Sequence, residues 1–292
     1  MQRQPVVDLH CHSLASDGGL TPAAVVERAA RRGVELLALT DHDTLAGVAE
    51  AAAAAAEHGV TLVPGAELSL AHPEATLHVL ALGVDPGAPG LTRLLEQLQQ
   101  ARRLRARRMA ERLEALRLAD AWERLHALAG DAVPTRVHVA DLLVEADYSR
   151  DRRRAFRDYL RPGRPAYAEA PWSSLEDGIA AVRAAGGVAV LAHPGVYGLS
   201  ARALGRVVDA FAAAGGDALE VVTGPRRDPV TARAASHARR RGLLGSAGSD
   251  FHRPLDGGPE LGALAALPPD IPAVWERWIP GGGKWRGLRT ED

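Results

Sequence analysis

Glu35-Leu36-Leu37-Ala38-Leu39-Thr40-Asp41-His42-Asp43 is a short apolar run, Leu36 to Leu39, that passes directly into four polar residues. The run is too short for a helix and reads as a buried strand. A helical pattern precedes it over residues 22–32, with Thr21 as its cap, Pro22 at its first position and Gly33 as its stop. The same unit of helix, stop, strand and polar strand end recurs. Residues 47–58 form the next helix, closed by Gly59, and 60–63 a strand leading to Gly65-Ala66-Glu67. Residues 77–82 form a strand carrying His78. After a middle segment, helix 174–185 precedes strand 188–191 and His193, and helix 203–214 precedes strand 218–222. Helix 230–241 then precedes strand 243–246, followed by Asp250 and His252.

Alternation of this kind implies an α/β fold with a parallel sheet. An open doubly wound sheet competes with a closed barrel. Closure is favoured, because polar residues delivered from at least five strand ends meet within a few ångströms only on a ring. The alternation breaks in the middle, where 91–118 reads as a long helix and 121–129, 137–145 and 152–160 as further helices. The expected organisation is therefore a barrel in two parts, 1–90 and 171–267, with a small helical domain inserted at 91–170. The Pro-, Gly- and Trp-rich residues 268–292 are read as an irregular tail.

The chain has 292 residues, ample for a sizeable core, and 47% hydrophobic and 24% charged residues place it among ordinary soluble proteins. Cys11 is the only cysteine, which excludes an internal disulfide and suits a cytoplasmic protein. No secretory signal is expected, and the longest purely apolar run, 51–56, is far too short for a membrane span. Charge is unevenly spread. Residues 98–165 hold 16 Arg against 10 acidic residues, and the remainder of the chain carries −7. Arg102, Arg103, Arg105, Arg107 and Arg108 crowd the middle of the long helix and are expected to form a solvated face.

His10 and His12 flank Cys11 at strand spacing, so both imidazoles share one face and Cys11 points away as a small buried residue. Around this pair the strand-end residues accumulate: Asp17 in Ser16-Asp17-Gly18-Gly19, His42, Glu67, His78, His193, Asp250 and His252. A single histidine near a strand is usually structural. Six of the eleven histidines, with three carboxylates, gathered at strand ends are the donor set of a multinuclear metal site, and the chain reads as a metallohydrolase.

The segments Asp8-Leu9-His10-Cys11-His12, Ser16-Asp17-Gly18, Thr40-Asp41-His42-Asp43-Thr44, Gly65-Ala66-Glu67, Ala192-His193-Pro194-Gly195 and Gly248-Ser249-Asp250-Phe251-His252 resemble the polymerase and histidinol phosphatase (PHP) family. In the insert, Thr135-Arg136-Val137-His138-Val139-Ala140 and Tyr159-Leu160…Gly163-Arg164…Tyr167 resemble its 3′,5′-nucleoside bisphosphate phosphatases. That subgroup includes RNase AM, which trims ribosomal RNA 5′ ends.

The resemblance implies a distorted (β/α)7 barrel and three divalent ions, manganese being usual and iron or zinc the alternatives. The implied ligands are His10, His12, Asp17, His42, Glu67, His78, His193, Asp250 and His252, with Glu67 and Asp250 bridging. It further implies a metal-bound hydroxide as nucleophile, with His193 a proton donor if it is not a ligand. Asp41 and Asp43 are expected to orient ligand histidines.

Arg136, His138, Arg164, Ser13 and Tyr197 are the residues expected to bind substrate, a nucleoside 3′,5′-bisphosphate or short RNA. No membrane or obligate protein partner is expected. Two alternatives stand beside this reading: a phosphatase of a small monoester such as histidinol phosphate, and a non-catalytic, metal-stabilised RNA-binding module. The chain departs from the subgroup at Val196, Asp141, Pro162 and Arg164, around the region expected to hold the second phosphate.

Overall fold

The structure is a computed structural model describing residues 5–226, 229–254 and 257–279. Seven strands form one sheet in chain order: β1 (Val7–Asp8), β2 (Leu36–Leu39), β3 (Thr61–His72), β4 (Ala75–Leu82), β5 (Val188–Leu191), β6 (Ala218–Val222) and β7 (Leu244–Ala247). The ends of the sheet meet. Leu9 N–H donates to Ala247 O at 3.0 Å, and Cys11 bridges to Phe251, so the ring is nearly closed into a barrel. Helices α1 (Pro22–Arg31), α2 (Val48–His58), α7 (Leu175–Ala184), α8 (Ala201–Ala213) and α9 (Pro229–Arg241) belong to the barrel. Thr21 caps α1 through its hydroxyl, as its position before Pro22 suggests.

Strand alternation divides the core. Leu36 and Ala38 of β2 face the main barrel core, whereas Leu37 and Leu39 pack with Val25, Val26, Ala29, Ala51 and Ala55 beneath α1 and α2. Cys11 lies in this second cluster, turned away from His10 and His12 as the spacing predicts.

The sheet differs from an all-parallel one at β4, which is antiparallel to both β3 and β5. The cause is local: His72 pairs with Ala75, leaving only Pro73 and Glu74 between the strands, and a parallel crossover needs a dozen residues or more. β3 also runs on to His72, which places Glu67 in mid-strand rather than at a strand end.

The middle of the chain is helical: α3 (Pro89–Ala115), α4 (Ala121–Ala129), α5 (Arg136–Glu145) and α6 (Arg152–Ala155), the last continuing into a π turn over Phe156–Leu160. α3 serves two cores. Leu91, Leu94, Leu95 and Leu98 pack on the barrel, while Met109, Ala110 and Leu113 join Leu125, Leu142, Leu143 and Leu160 in a separate cluster.

The stretch read as an irregular tail is, as far as Ile279, a packed segment. Ile271, Val274 and Trp275 enter the barrel core, and Val274–Trp278 forms a 3₁₀ turn. Residues 280–292 of that expected tail lie outside the described residues. Among the described residues, no helix is long and apolar enough to cross a membrane.

Candidate metal centre

All nine ligand-type residues converge at one mouth of the barrel. Five imidazoles form a circuit, His10–His12–His42–His78–His193, with successive ring centroids 5.2, 4.6, 5.2, 5.2 and 5.5 Å apart on returning to His10. His252 stacks on His12 at 4.2 Å. Glu67 stands among them: its carboxylate oxygens lie 2.8 Å from His42 Nδ1, 2.9 Å from His78 Nδ1 and 2.9 Å from His193 Nε2. Asp250 Oδ1 is 3.1 Å from His12 Nε2 and 3.4 Å from His10 Nε2. Asp17 faces His252 Nε2 at 3.4 Å and His42 Nε2 at 3.7 Å.

The backbone that delivers these groups is strained where strands end. Asp43, His193 and Asp250 have φ of 54°, 28° and 52°, in a region L-residues seldom adopt. The turn presenting Asp17 is held by Asp41, which accepts from Ser13 N–H at 2.7 Å, Ser13 Oγ at 2.6 Å and Ser16 Oγ at 2.6 Å.

The turn also requires glycine. A Cβ on Gly18 would stand 2.5 Å from His12 O. We expect Gly18→Ala to displace Asp17 and destabilise the fold by about 1–3 kcal/mol. Denaturant unfolding beside metal titration checks this. An unchanged midpoint with full metal uptake would refute it.

Electrostatics here are governed by burial set against mutual attraction. Burial disfavours the charges of Glu67, Asp17 and Asp250, yet the surrounding imidazoles hold all three below the usual carboxylate range. Burial also opposes the charged form of His252, but Asp17 and Asp250 outweigh it and raise that imidazole to about 10. His10 and His193 are likewise raised against burial, His10 by Glu220, Glu67 and Asp250, and His193 chiefly by Glu67. For His42 burial wins, lowering it to about 4.

The donor set fits divalent cations. Four groups each bring one donor atom per residue to within 4.8 Å of one another: His12, Asp17, His42 and His252; His10, His12 and Glu67; His10, His193 and Asp250; and His42, Glu67 and His78. Among the described residues, His12 Nδ1, Asp17 Oδ2 and His193 Nδ1 are buried without a hydrogen-bond partner. Buried polar atoms are costly to leave unpaired, and a cavity walled with them is suited to cations.

Glu220, on β6, was not anticipated. Its buried carboxylate accepts from His10 Nδ1–H at 3.0 Å and from His193 N–H at 2.6 Å, which leaves His10 Nε2 facing the cavity as a donor atom. The signal was a lone carboxylate in Ala218-Leu219-Glu220-Val221-Val222, an otherwise apolar strand. Gly248 lets β7 approach this pair, since a Cβ there would lie 2.3 Å from His10 Cβ.

Asp41 and Asp43 do not orient ligand histidines as expected: Asp41 binds the two serines, and Asp43 accepts from Ser69 N–H and from buried Arg102.

The residues expected to meet substrate divide. Arg136 opens α5, its guanidinium 5.8 Å from the Phe156 ring centroid, and burial and Arg102 lower its pKa. His138 is buried and its Nδ1 accepts from Thr135 N–H at 3.0 Å, so a neutral ring carries its proton on Nε2.

Arg164 is exposed on the return loop. Two expectations need correction. Ser13 is fully buried with its hydroxyl committed to Asp41, which rules it out as a substrate contact. The Tyr197 hydroxyl accepts from His78 N–H at 3.0 Å and donates to Ala192 O at 2.9 Å, pinning two ligand segments instead of offering its polar end to a base.

The arginine run is not uniformly solvated either. Arg102 is buried against Asp43 and Ser69, and Arg105 lies 5.5 Å from the Trp172 ring centroid. Arg253, also unanticipated, donates to Asp17 O at 3.2 Å and sits 3.5 Å from Asp141, a residue noted as a departure from the subgroup.

Residues 8–161 match the family model described as the PHP domain. The chain is 42% identical to a 3′,5′-nucleoside bisphosphate phosphatase of Chromobacterium violaceum, over 92% of this chain and 95% of that protein. It is 39% identical to the 5′-3′ exoribonuclease Rnm of Escherichia coli, over 94% of each. Among solved structures, an amidohydrolase from Chromobacterium violaceum, crystallised with sulfate and no metal, superposes with a TM-score of 0.87 at 41% identity, covering 93% of this chain and 95% of that one. With its barrel, its histidine-rich mouth and these relatives, the chain belongs to the PHP family.

Proposed function

We propose that this chain is a metal-dependent phosphoesterase that removes the 3′-phosphate of nucleoside 3′,5′-bisphosphates and cleaves the first phosphodiester of short 5′-phosphorylated RNA. The observation that carries the reading is the convergence of six imidazoles and three carboxylates in four overlapping donor groups. His10, His12, Asp17, His42, Glu67, His78, His193, Asp250 and His252 would hold three divalent ions, manganese first with iron or zinc as alternatives. Glu67 and Asp250 each face imidazoles of more than one group and would be the carboxylates able to bridge two cations. Bound there, the cations lower the pKa of water toward neutrality and offset charge on the phosphoryl oxygens.

The protein's own part is positioning. Glu220 fixes His10 and the backbone of His193, Tyr197 fixes His78, and Asp41 fixes the turn of Asp17. His193 counts with the ligands, which removes it as a proton donor. In the hydrolysis a water oxygen bonds to phosphorus, the bond from phosphorus to O3′ breaks, and the proton that the water gives up is balanced by the one O3′ takes from solvent. The second phosphate is assigned to Arg136 and the Nε2–H of His138, which share the first turn of α5 and interact electrostatically with Asp17, together with Arg105, which interacts with Arg136. A reducing cytoplasm suits the buried thiol of Cys11.

The test is phosphate release from adenosine 3′,5′-bisphosphate by manganese-loaded protein, abolished by chelator. Folded, loaded protein that releases none overturns the substrate assignment. Arg136→Ala should lower kcat/KM for the bisphosphate about 10- to 150-fold, the worth of one hydrogen bond to a charged group, and spare adenosine 3′-monophosphate. Equal losses on both substrates would remove Arg136 from the second-phosphate site.

A further inference from the structure

We propose a third phosphate subsite, beyond the two that a bisphosphate needs, in the groove between α3 and the return segment of the insert. This rests on the reading above, because it extends the same substrate outward from the pocket of Arg105 and Arg136. The groove encloses about 480 Å³, within the ~300–1,000 Å³ of small-molecule sites, and is lined by Arg108, Arg112, Pro162, Gly163, Tyr167 and their neighbours Ala168 and Glu169.

Its position follows from helix geometry. Arg102, Arg105, Arg108 and Arg112 are spaced by three, three and four residues, so they form one stripe on α3. At 1.5 Å per residue the steps along the axis are about 4.5, 4.5 and 6 Å, so the stripe carries cationic groups outward from the barrel mouth in short increments. Each rung has a different partner. Arg102 is consumed by Asp43 at the barrel mouth, and Arg105 stands over Trp172 beside the cluster. Arg108 and Arg112 reach only backbone carbonyls, those of Glu169 and Tyr167, and neither has a carboxylate partner among the described residues. A guanidinium has five N–H donors, so both keep donors for an oxyanion. One turn of α3 separates Arg105 from Arg108, and Tyr167, which lines the groove, interacts electrostatically with Arg105 and Arg136.

Two guanidiniums against the single carboxylate of Glu169 make this groove attractive to anions, and its continuity with the second-phosphate pocket selects a further phosphate on the same molecule. That phosphate belongs to a 5′-polyphosphate on the first nucleotide, because later phosphodiesters of an RNA strand are joined through the scissile phosphate and leave from the metal-centre side. The test separates the two ends of the substrate.

Wild-type, Arg108→Glu and Arg108→Lys proteins are assayed on three substrates: adenosine 3′,5′-bisphosphate, adenosine 3′-phosphate 5′-triphosphate and a 5′-phosphorylated pentaribonucleotide. The expected result for Arg108→Glu is a kcat/KM within twofold of wild type on the bisphosphate and the pentamer, and a loss of at least tenfold on the triphosphate, largely restored in Arg108→Lys. A loss on the pentamer, alone or beside the triphosphate, would mark a strand track on the 3′ side and overturn the polyphosphate subsite. Parallel losses on all three, or none on the triphosphate, overturn it as well. Absence of turnover on the bisphosphate by wild-type protein would instead overturn the reading on which it rests.

Discussion

Glu67→Gln should reduce turnover of adenosine 3′,5′-bisphosphate by on the order of 10³-fold and lower the metal content of the purified protein, while leaving it folded. The size of the effect follows from position. One buried carboxylate faces five imidazoles: His10 Nε2 at 3.3 Å, His12 Nε2 at 3.5 Å, and His42, His78 and His193 at 2.8 to 2.9 Å. It belongs to two of the four donor groups, so a neutral amide there weakens two sites at once. Asparagine at Asp17 would remove charge from one group only and should cost less. Elemental analysis, a thermal melt and phosphate release on the same sample decide the matter. A Glu67→Gln protein with full metal and near-normal turnover would show that the carboxylate is no bridge.

The parts of the fold and of the site differ in how plainly the sequence carries them. The barrel was legible because Leu36–Leu39 and Val188–Leu191 are apolar runs bounded by helix stops, and that pattern is local. The pairing of His10 with His12 was legible because strand periodicity alone puts both on one face. β4 was not, since its reversal depends on a two-residue connection between patterns that look alike in either direction. Asp41 illustrates another limit: it stands beside His42 in sequence, yet its hydrogen bonds go to Ser13 and Ser16, some 25 to 28 positions away. Arg102 and Arg105 resembled a solvated face because their neighbours Arg103, Arg107 and Arg108 are exposed; only the packing of α3 on Asp43 and Trp172 distinguishes them. The same holds for Trp275, whose surroundings in sequence are turn-like although its ring enters the barrel core.

The second large effect is expected at Glu220, a residue that supports the cluster without belonging to any of its four donor groups. Its two oxygens serve different purposes. One receives His10 Nδ1–H, which selects the tautomer whose Nε2 faces the cavity, and the other receives the His193 N–H, which holds a residue at φ 28°. In Glu220→Gln the amide can satisfy one of these donors but opposes the other with its own N–H. Groups that orient metal ligands typically contribute 10- to 100-fold in metal affinity, and a loss in that range is expected, with turnover recovering at saturating manganese. Glu220→Ala leaves both donors buried and unpaired and should add a stability loss of about 1–3 kcal/mol per group. Titration of the chelated protein with manganese, followed by activity and denaturant midpoint, separates the two variants. If glutamine reduces turnover at saturating metal as severely as it reduces affinity, Glu220 acts on the reacting groups and not through His10. If it changes neither, the alignment of His10 is set by packing within the barrel, where Gly248 already brings β7 against the His10 side chain.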